Sequence, residues 1–234
     1  MIALLGSGEF MPWTESHDRE LILRSSNPSG PILIFPTASA PEGEEIFDRW
    51  GQLGIRHFDK MGFEAKIMQV KTPKDANNPE IISRLAEASL LYFSGGNPDY
   101  LARTLEGTLL WQGIVEAIAS GVSYAGSSAG INYLGSIAFD SNQAQFTAKT
   151  FRPGLDYFKN TVLCPHWDTF DLFVPGSKGL ITRELGSKYR LIAIDEDTAL
   201  VGSANIWRVY GRGSVEIYED GNISRYLTDE MVSL

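Results

Sequence analysis

The chain has 234 residues, a hydrophobic fraction of 43% and a formal net charge of −9. This length suits one large α/β domain, and the composition is that of an ordinary globular core. The negative charge, with no run of Lys and Arg, argues against a nucleic-acid partner. The single cysteine excludes an intrachain disulfide framework and fits a reducing compartment, so we expect a cytoplasmic protein.

The N-terminal residues predict a buried first strand. They read MIALLG, which lacks a basic region and is too short an apolar run for a signal peptide or a membrane span. The sequence has three histidines and no Cys/His cluster with the spacing of zinc ligands. We therefore expect no membrane partner and no zinc site.

Strands and helices alternate over the first 135 residues. Strands are predicted at 2–5, 31–36, 65–70 and 89–93 and from Val122 onward, and helices at 14–24, 42–61, 80–88, 100–106 and 109–119. The strand at 31–36 is apolar throughout, which is typical of parallel strands buried on both faces. Alternation with short connections predicts a doubly wound, mostly parallel sheet whose functional site lies at the carboxyl ends of the strands.

The pattern changes after Asn132. Residues 136–158 are irregular, a short strand covers 161–164, a helix covers 176–185 and a buried strand covers 191–194. Alternating strands separated by Gly-containing turns follow at about 198–228, which predicts antiparallel hairpins. We expect one domain over 1–234, with these hairpin strands as its C-terminal extension.

Gly126, Ser128 and Gly130 form G-x-S-x-G between the predicted strand at Val122 and a predicted helix. This spacing is that of a nucleophile elbow, in which glycines permit a tight turn and the serine Oγ is exposed at the sheet edge. The amide of Ala129 would then donate to an oxyanion.

Gly95 and Gly96 follow the predicted strand at 89–93. Their amides, without side chains in the way, suit the second half of an oxyanion hole. A plain turn before a helix that begins at Pro98 is the structural alternative.

A serine nucleophile needs a base and a group that orients the base. His166 is the only histidine after the elbow and lies at a strand end, whereas His17 is expected at the surface and His57 within a helix. Cys164 lies inside an apolar run, which predicts a buried and inert thiol and not a nucleophile. Asp195, Glu196 and Asp197 follow a buried strand, and the choice among them stays open.

Two other functions compete with this arrangement. An α/β-hydrolase-type esterase runs nucleophile, acid, base along the chain, and Asp140 or Asp156 would supply its acid. That order would leave the acidic loop after His166 without a role. The other alternative is a non-catalytic binding module with the same fold and no reactive serine.

Three segments together carry a family resemblance: YFSGGNP at 92–98, AGSSAGIN at 125–132 and LIAIDEDTAL at 191–200. With their order and spacing, the chain resembles the serine peptidase family of dipeptidase E (aspartyl dipeptidase) and cyanophycinase. The resemblance implies a flavodoxin-like sheet of the class I glutamine amidotransferase type and no cofactor or metal. It implies a Ser-His-Glu triad at Ser128, His166 and Glu196, with oxyanion amides at Gly96 (or Gly95) and Ala129.

The segment after His166 departs from the family pattern. Enzymes of this family act on Asp-X peptides or on a β-aspartyl-arginine polymer, which requires cationic groups, and cyanophycinase-like sequences carry arginines soon after the histidine. Here WDTFD follows instead, and Arg152 or Arg183 would have to supply the cation. The predicted substrate-binding residues are Gly95, Asn97 and Arg183. The predicted function is serine-dependent hydrolysis of small peptides through an acyl-enzyme, with Asp-X dipeptides as candidate substrates and a homodimer as a candidate assembly.

Overall fold

The computed structural model describes residues 1–139 and 146–234, without the side chain of Phe173. The strands are β1 (Ile2–Leu5), β2 (Ile32–Phe35), β3 (Ala65–Ile67), β4 (Leu90–Phe93), β5 (Ser123–Ser127), β6 (Gly135–Phe139), β7 (Phe151–Pro153), β8 (Phe158–Cys164), β9 (Arg190–Ile194), β10 (Thr198–Ser203), β11 (Ile206–Gly211), β12 (Ser214–Glu219), β13 (Asn222–Leu227) and β14 (Met231–Val232). The helices are α1 (Glu15–Leu23), α2 (Glu44–Lys60), α3 (Pro79–Ser83), α4 (Pro98–Leu105), α5 (Leu109–Ala119), α6 (Ala129–Asn132), α7 (Phe170–Phe173) and α8 (Ser177–Leu185).

The first sheet has the strand order β14-β11-β10-β1-β5-β4-β2-β3. The central strands pair in parallel with one another, in the order β1, β5, β4, β2 and β3. Beyond β1, the sheet continues in antiparallel pairs through β10, β11 and β14. Helices α1 and α2 pack on one face, and α4 and α5 pack on the other. This arrangement confirms the predicted α/β class with a mostly parallel sheet.

A second sheet has the order β13-β12-β9-β8-β6-β7. Its strands β6, β8 and β9 are parallel, and β7, β12 and β13 pair antiparallel. The prediction that 136–158 is irregular was wrong, because β6 and β7 lie there. Neither strand has a readable period: β6 is buried at its ends and half-buried between them, and β7 is a three-residue edge strand that contains a proline.

The C-terminal strands divide between the two sheets. Strands β10, β11 and β14 extend the first sheet, whereas β12 and β13 extend the second. The chain crosses from the second sheet to the first between β9 and β10, at Asp195, Glu196 and Asp197. One apolar core contains side chains of both sheets, among them Leu4, Phe93, Leu163, Ile192 and Val215. The single domain over 1–234 stays a prediction.

Helix α2 shows how closely the helices lie on the first sheet. Its buried positions include Phe47, Gly51, Gly54 and Phe58, which recur at helical spacing on one face. A Cβ at Gly54 would come within 2.6 Å of Ile34 Cδ1, so the Ile34 side chain would have to shift if this glycine were replaced. No helix in the described ranges is both long and apolar enough to cross a bilayer.

The prediction that His17 lies at the surface was wrong. His17 is fully buried, with its ring centroid 5.4 Å from those of Trp13 and Tyr210. Burial lowers the pKa of His17, so the ring is neutral in the folded chain. Its neighbour Asp18 is buried too, and His57 Nε2 lies 2.8 Å from Asp18 Oδ2. These two histidines therefore belong to the packing of α1 and α2.

Candidate active site

The turn between β5 and α6 has the geometry of a nucleophile elbow. Ser128 connects the two elements with φ 50° and ψ −106°, a strained conformation for a residue other than glycine. A Cβ at Gly126 would overlap the carbonyl oxygen of Gly130, and a Cβ at Gly130 would lie 2.5 Å from the Phe93 carbonyl oxygen. Both glycines are therefore required by the close packing of the turn, as the G-x-S-x-G spacing predicts.

His166 meets the elbow from the second sheet. It follows β8, and the Trp167 amide next to it donates to the Ile194 carbonyl at 3.0 Å, which fixes the loop against β9. His166 Nε2 lies 2.7 Å from Ser128 Oγ. With Nε2 unprotonated, the serine hydroxyl donates to it, and this is the contact through which a base removes a proton.

Glu196 is the acid that contacts His166. Its Oε1 lies 2.9 Å from His166 Nδ1, so the imidazole carries its proton on Nδ1 and donates it to Glu196. Nε2 is then the unprotonated nitrogen that accepts from Ser128. The Glu196 amide donates to Asp168 Oδ1 at 2.8 Å, which ties this loop to the segment after His166. The His166 and Glu196 side chains are 29% and 37% exposed, so solvent reaches this hydrogen-bonded pair.

The acids on either side of Glu196 are engaged elsewhere. Asp195 is buried, and its Oδ2 accepts from the Ser214 amide at 2.8 Å and from the Ser214 hydroxyl at 2.7 Å. Asp197 forms an ion pair with Arg212. These contacts distinguish three adjacent acids that the sequence left equivalent.

The glycine pair lies directly beside the elbow. An ideal Cβ at Gly95 would lie 3.5 Å from Ser128 Cβ. The Gly95 amide donates to Glu9 Oε1 at 2.7 Å, so this amide already has an acceptor within the protein. Gly96 has φ 140°, and a Cβ there would come within 2.5 Å of the Ala38 backbone, which requires glycine.

The sequence predicts Asn97 as a residue of the site, whereas it does not predict Glu9. Asn97 was expected to bind substrate, and its side chain caps α4 by accepting from the Tyr100 amide at 3.0 Å. Glu9 was not singled out, although it follows β1 at the carboxyl edge of the sheet. A charged residue directly after a Gly-Ser-Gly turn was the signal that could have found it.

The two candidate cations lie against carboxylates. Arg183 is 66% exposed and pairs with Glu184 at 3.0 Å. Arg152 forms an ion pair with the buried Asp99, and its guanidinium lies 5.5 Å from the centroid of the Tyr133 ring. Among the described residues, neither arginine forms a hydrogen bond or an ion pair with Ser128 or His166.

Of the two acids of the esterase alternative, the structure describes only Asp156. Asp156 Oδ1 accepts from the Ser136 hydroxyl at 2.6 Å, whereas Asp140 lies outside the described residues. Cys164 is buried, and burial raises the pKa of its thiol well above the usual range, which suits an inert side chain. In the parts of the chain that the structure describes, no group of three or more His, Cys, Asp or Glu side chains could hold a metal ion.

The chain is similar in sequence and in fold to known peptidases. The model of peptidase family S51 matches residues 2–205. The crystal structure of a peptidase from an acI-B1 actinobacterium is 34% identical, with a TM-score of 0.90, and covers 100% of this chain and 96% of its own. That of a putative peptidase E protein from Listeria monocytogenes EGD-e is 16% identical, with a TM-score of 0.59, and covers 97% of this chain and 98% of its own, which shows a shared fold. No curated protein gives a significant match.

These similarities confirm the resemblance to the dipeptidase E family and the α/β fold class. The family match covers most of the chain, and the actinobacterial peptidase matches it over its whole length. The chain therefore belongs to peptidase family S51 and is a serine-type peptidase.

Proposed function

We propose that the chain hydrolyses small peptides through an acyl-enzyme formed on Ser128. His166 is the base, and Glu196 orients it. The observation that carries this proposal is the continuous pair of hydrogen-bond contacts from Ser128 Oγ to His166 Nε2 at 2.7 Å and from His166 Nδ1 to Glu196 Oε1 at 2.9 Å. Both lie within the range in which a proton is transferred or a tautomer is fixed.

In the proposed reaction, Ser128 Oγ attacks the scissile carbonyl carbon while His166 Nε2 takes the hydroxyl proton. The imidazolium that forms is stabilised by Glu196. Collapse of the tetrahedral intermediate breaks the C–N bond, and His166 gives its proton to the leaving amine. Water then attacks the ester carbonyl, with His166 as base again. The bond from the acyl carbon to Ser128 Oγ breaks, His166 returns the proton to Oγ, and the acid product is released.

We assign the oxyanion to the amides of Gly96 and Ala129. The Gly95 amide is already donated to Glu9, which leaves Gly96 as the donor of this loop. Ala129 follows Ser128 directly and begins α6, so its amide is one of the N-terminal amides that have no acceptor within the helix. Each such donor contributes about 10²- to 10³-fold to the rate.

We propose that the substrate side chain is not acidic. Arg152 and Arg183 lie against Asp99 and Glu184, which occupy the charges that an aspartate would need. The segments around the site carry Glu9 and Asp168, and neighbouring carboxylates repel an anionic substrate. The same charges favour the α-ammonium group of a short peptide.

Amine release from the dipeptides Ala-Leu, Leu-Leu, Asp-Leu and β-Asp-Leu tests this proposal. We expect the neutral dipeptides to be cleaved and Ser128→Ala to lower the rate by about 10⁴-fold or more. Ser120→Ala is the matched control, because the Ser120 hydroxyl donates to Ala117 at the end of α5. Near-normal turnover by Ser128→Ala would refute the mechanism. Cleavage of Asp-Leu alone would refute the proposed side-chain preference, and no turnover of any dipeptide would refute the substrate class.

The cytoplasmic location, the homodimer and the lack of a nucleic-acid partner stay predictions. A gel-filtration mass measurement tests the dimer directly.

A further inference from the structure

A buried carboxylate connects the two backbone segments that flank the catalytic serine. Glu9 lies in the loop after β1 and is 8% exposed. Its Oε1 accepts from the Gly95 amide at 2.7 Å, and its Oε2 accepts from the Ser127 hydroxyl at 2.5 Å. Gly95 belongs to the loop after β4, and Ser127 is the last residue of β5, directly before Ser128.

The distances place this carboxylate at the reacting centre without direct contact to it. The ideal Cβ position of Gly95 lies 3.1 Å from Glu9 Oε1 and 3.9 Å from Ser128 Oγ. Both carboxylate oxygens are taken by protein donors. Glu9 therefore acts on its backbone neighbours and is not free to serve as a second base.

We infer that Glu9 is a positioning residue that sets the distance between the two halves of the oxyanion hole. This inference rests on the proposed function. One half is the Gly96 amide, in the loop held by Oε1, and the other is the Ala129 amide, in the elbow held by Oε2. A glycine pair has wide backbone freedom, so a fixed partner is needed to hold its peptide planes.

The bond to Gly95 also selects which amide faces the oxyanion. With the Gly95 N–H donated to Glu9, the next amide, Gly96, is the one left for the substrate. Gly96 holds φ 140°, a conformation that its surroundings must maintain. Loss of the Glu9 carboxylate would release the Gly95 peptide plane and move the Gly96 donor.

Three variants test the role of Glu9: Glu9→Ala, Glu9→Gln and Ser127→Ala. The substrate is the aminoacyl p-nitroanilide with the highest turnover by the unaltered enzyme. A displacement of about 1 Å at a catalytic group costs about 10²-fold in rate, so we expect Glu9→Ala to lower kcat by about 10²-fold with KM changed by less than about threefold. Glu9→Gln keeps an acceptor for the Gly95 amide and replaces the acceptor for Ser127 with an NH₂ group that donates to the Ser127 oxygen, and we expect kcat within about tenfold of the unaltered enzyme. Ser127→Ala removes one of the two bonds and should lower kcat by less than Glu9→Ala does.

Inhibitor binding separates a positioning role from a merely structural one. An amino aldehyde forms a hemiacetal with the serine and places its oxygen in the oxyanion hole, whereas the free amino acid does not. In Glu9→Ala the inhibition constant of the aldehyde should rise by about the factor by which kcat falls, and that of the amino acid should stay constant.

Several outcomes would overturn the inference. They are an unchanged kcat in Glu9→Ala, equal losses in Glu9→Ala and Glu9→Gln, or a rise in KM with kcat preserved, which would place Glu9 in substrate binding. If Glu9→Ala does not fold, Ser127→Ala decides: a normal kcat and an unchanged aldehyde constant would overturn it. Failure of the proposed function is distinguishable, because it appears as normal turnover by Ser128→Ala.

Discussion

Glu196→Gln tests which of three adjacent acids orients the base. The substitution keeps the size of the side chain and removes the negative charge that lies 2.9 Å from His166 Nδ1. Where such an acid is buried, its loss costs about 10⁴-fold in kcat. Here the two side chains are 29% and 37% exposed, so water replaces part of the lost stabilisation. We therefore expect about a 10³-fold loss, which is about 4 kcal/mol of barrier.

The assay is p-nitroanilide release by Glu196→Gln, Asp195→Asn and Asp197→Asn, with thermal unfolding measured for each variant. Asp195 holds Ser214, so we expect Asp195→Asn to lower the melting temperature and to keep kcat within about threefold. Asp197→Asn loses an ion pair with Arg212 and should change little. A Glu196→Gln enzyme within about tenfold of normal kcat, or an equal loss in either control, would refute the assignment.

Four further predictions follow from the packing. Gly130→Ala should lower both kcat and the melting temperature, because the new Cβ would lie 2.5 Å from the Phe93 carbonyl oxygen. Asp156→Asn should keep kcat within about threefold, and a loss like that of Glu196→Gln would favour the esterase alternative. Burial raises the pKa of the Cys164 thiol, so a thiol reagent at about pH 8 should label the unfolded chain and not the folded one. Burial lowers the pKa of His17 below the ordinary histidine value of 6.5. As the pH falls through 6.5, the unfolded chain therefore binds a proton at His17 before the folded chain does, and the free energy of unfolding should fall. His17→Phe should reduce this pH dependence, and an equal dependence in both proteins would contradict the assignment.

Local patterns predicted the first half of the fold. The strands at 2–5 and 31–36 are continuous apolar runs, and such runs indicate strands buried on both faces. The G-x-S-x-G turn is also local, because its glycines are required by contacts within a few residues and by the adjacent β4. The elbow and the mostly parallel sheet could therefore be expected from the sequence.

Contacts between residues far apart in the sequence could not be predicted in the same way. The choice of Glu196 depends on how the chain turns between β9 and β10, since Asp195 is held by Ser214 and Asp197 by Arg212. The role of Glu9 depends on a contact between loops that are 86 residues apart. Such long-range pairs leave no periodic signal in one sequence.

The position of Glu196 has a consequence for the chain during synthesis. Strand β5, which presents Ser128, has its parallel neighbours β1 and β4 already made when it emerges. His166 follows 38 residues later, and Glu196 another 30 residues after that. Under the proposed mechanism, the base is oriented only when the crossing between β9 and β10 has formed, which is after the serine and its flanking strands have been made. A chain that folds in the order of its synthesis would then be inactive until this crossing forms.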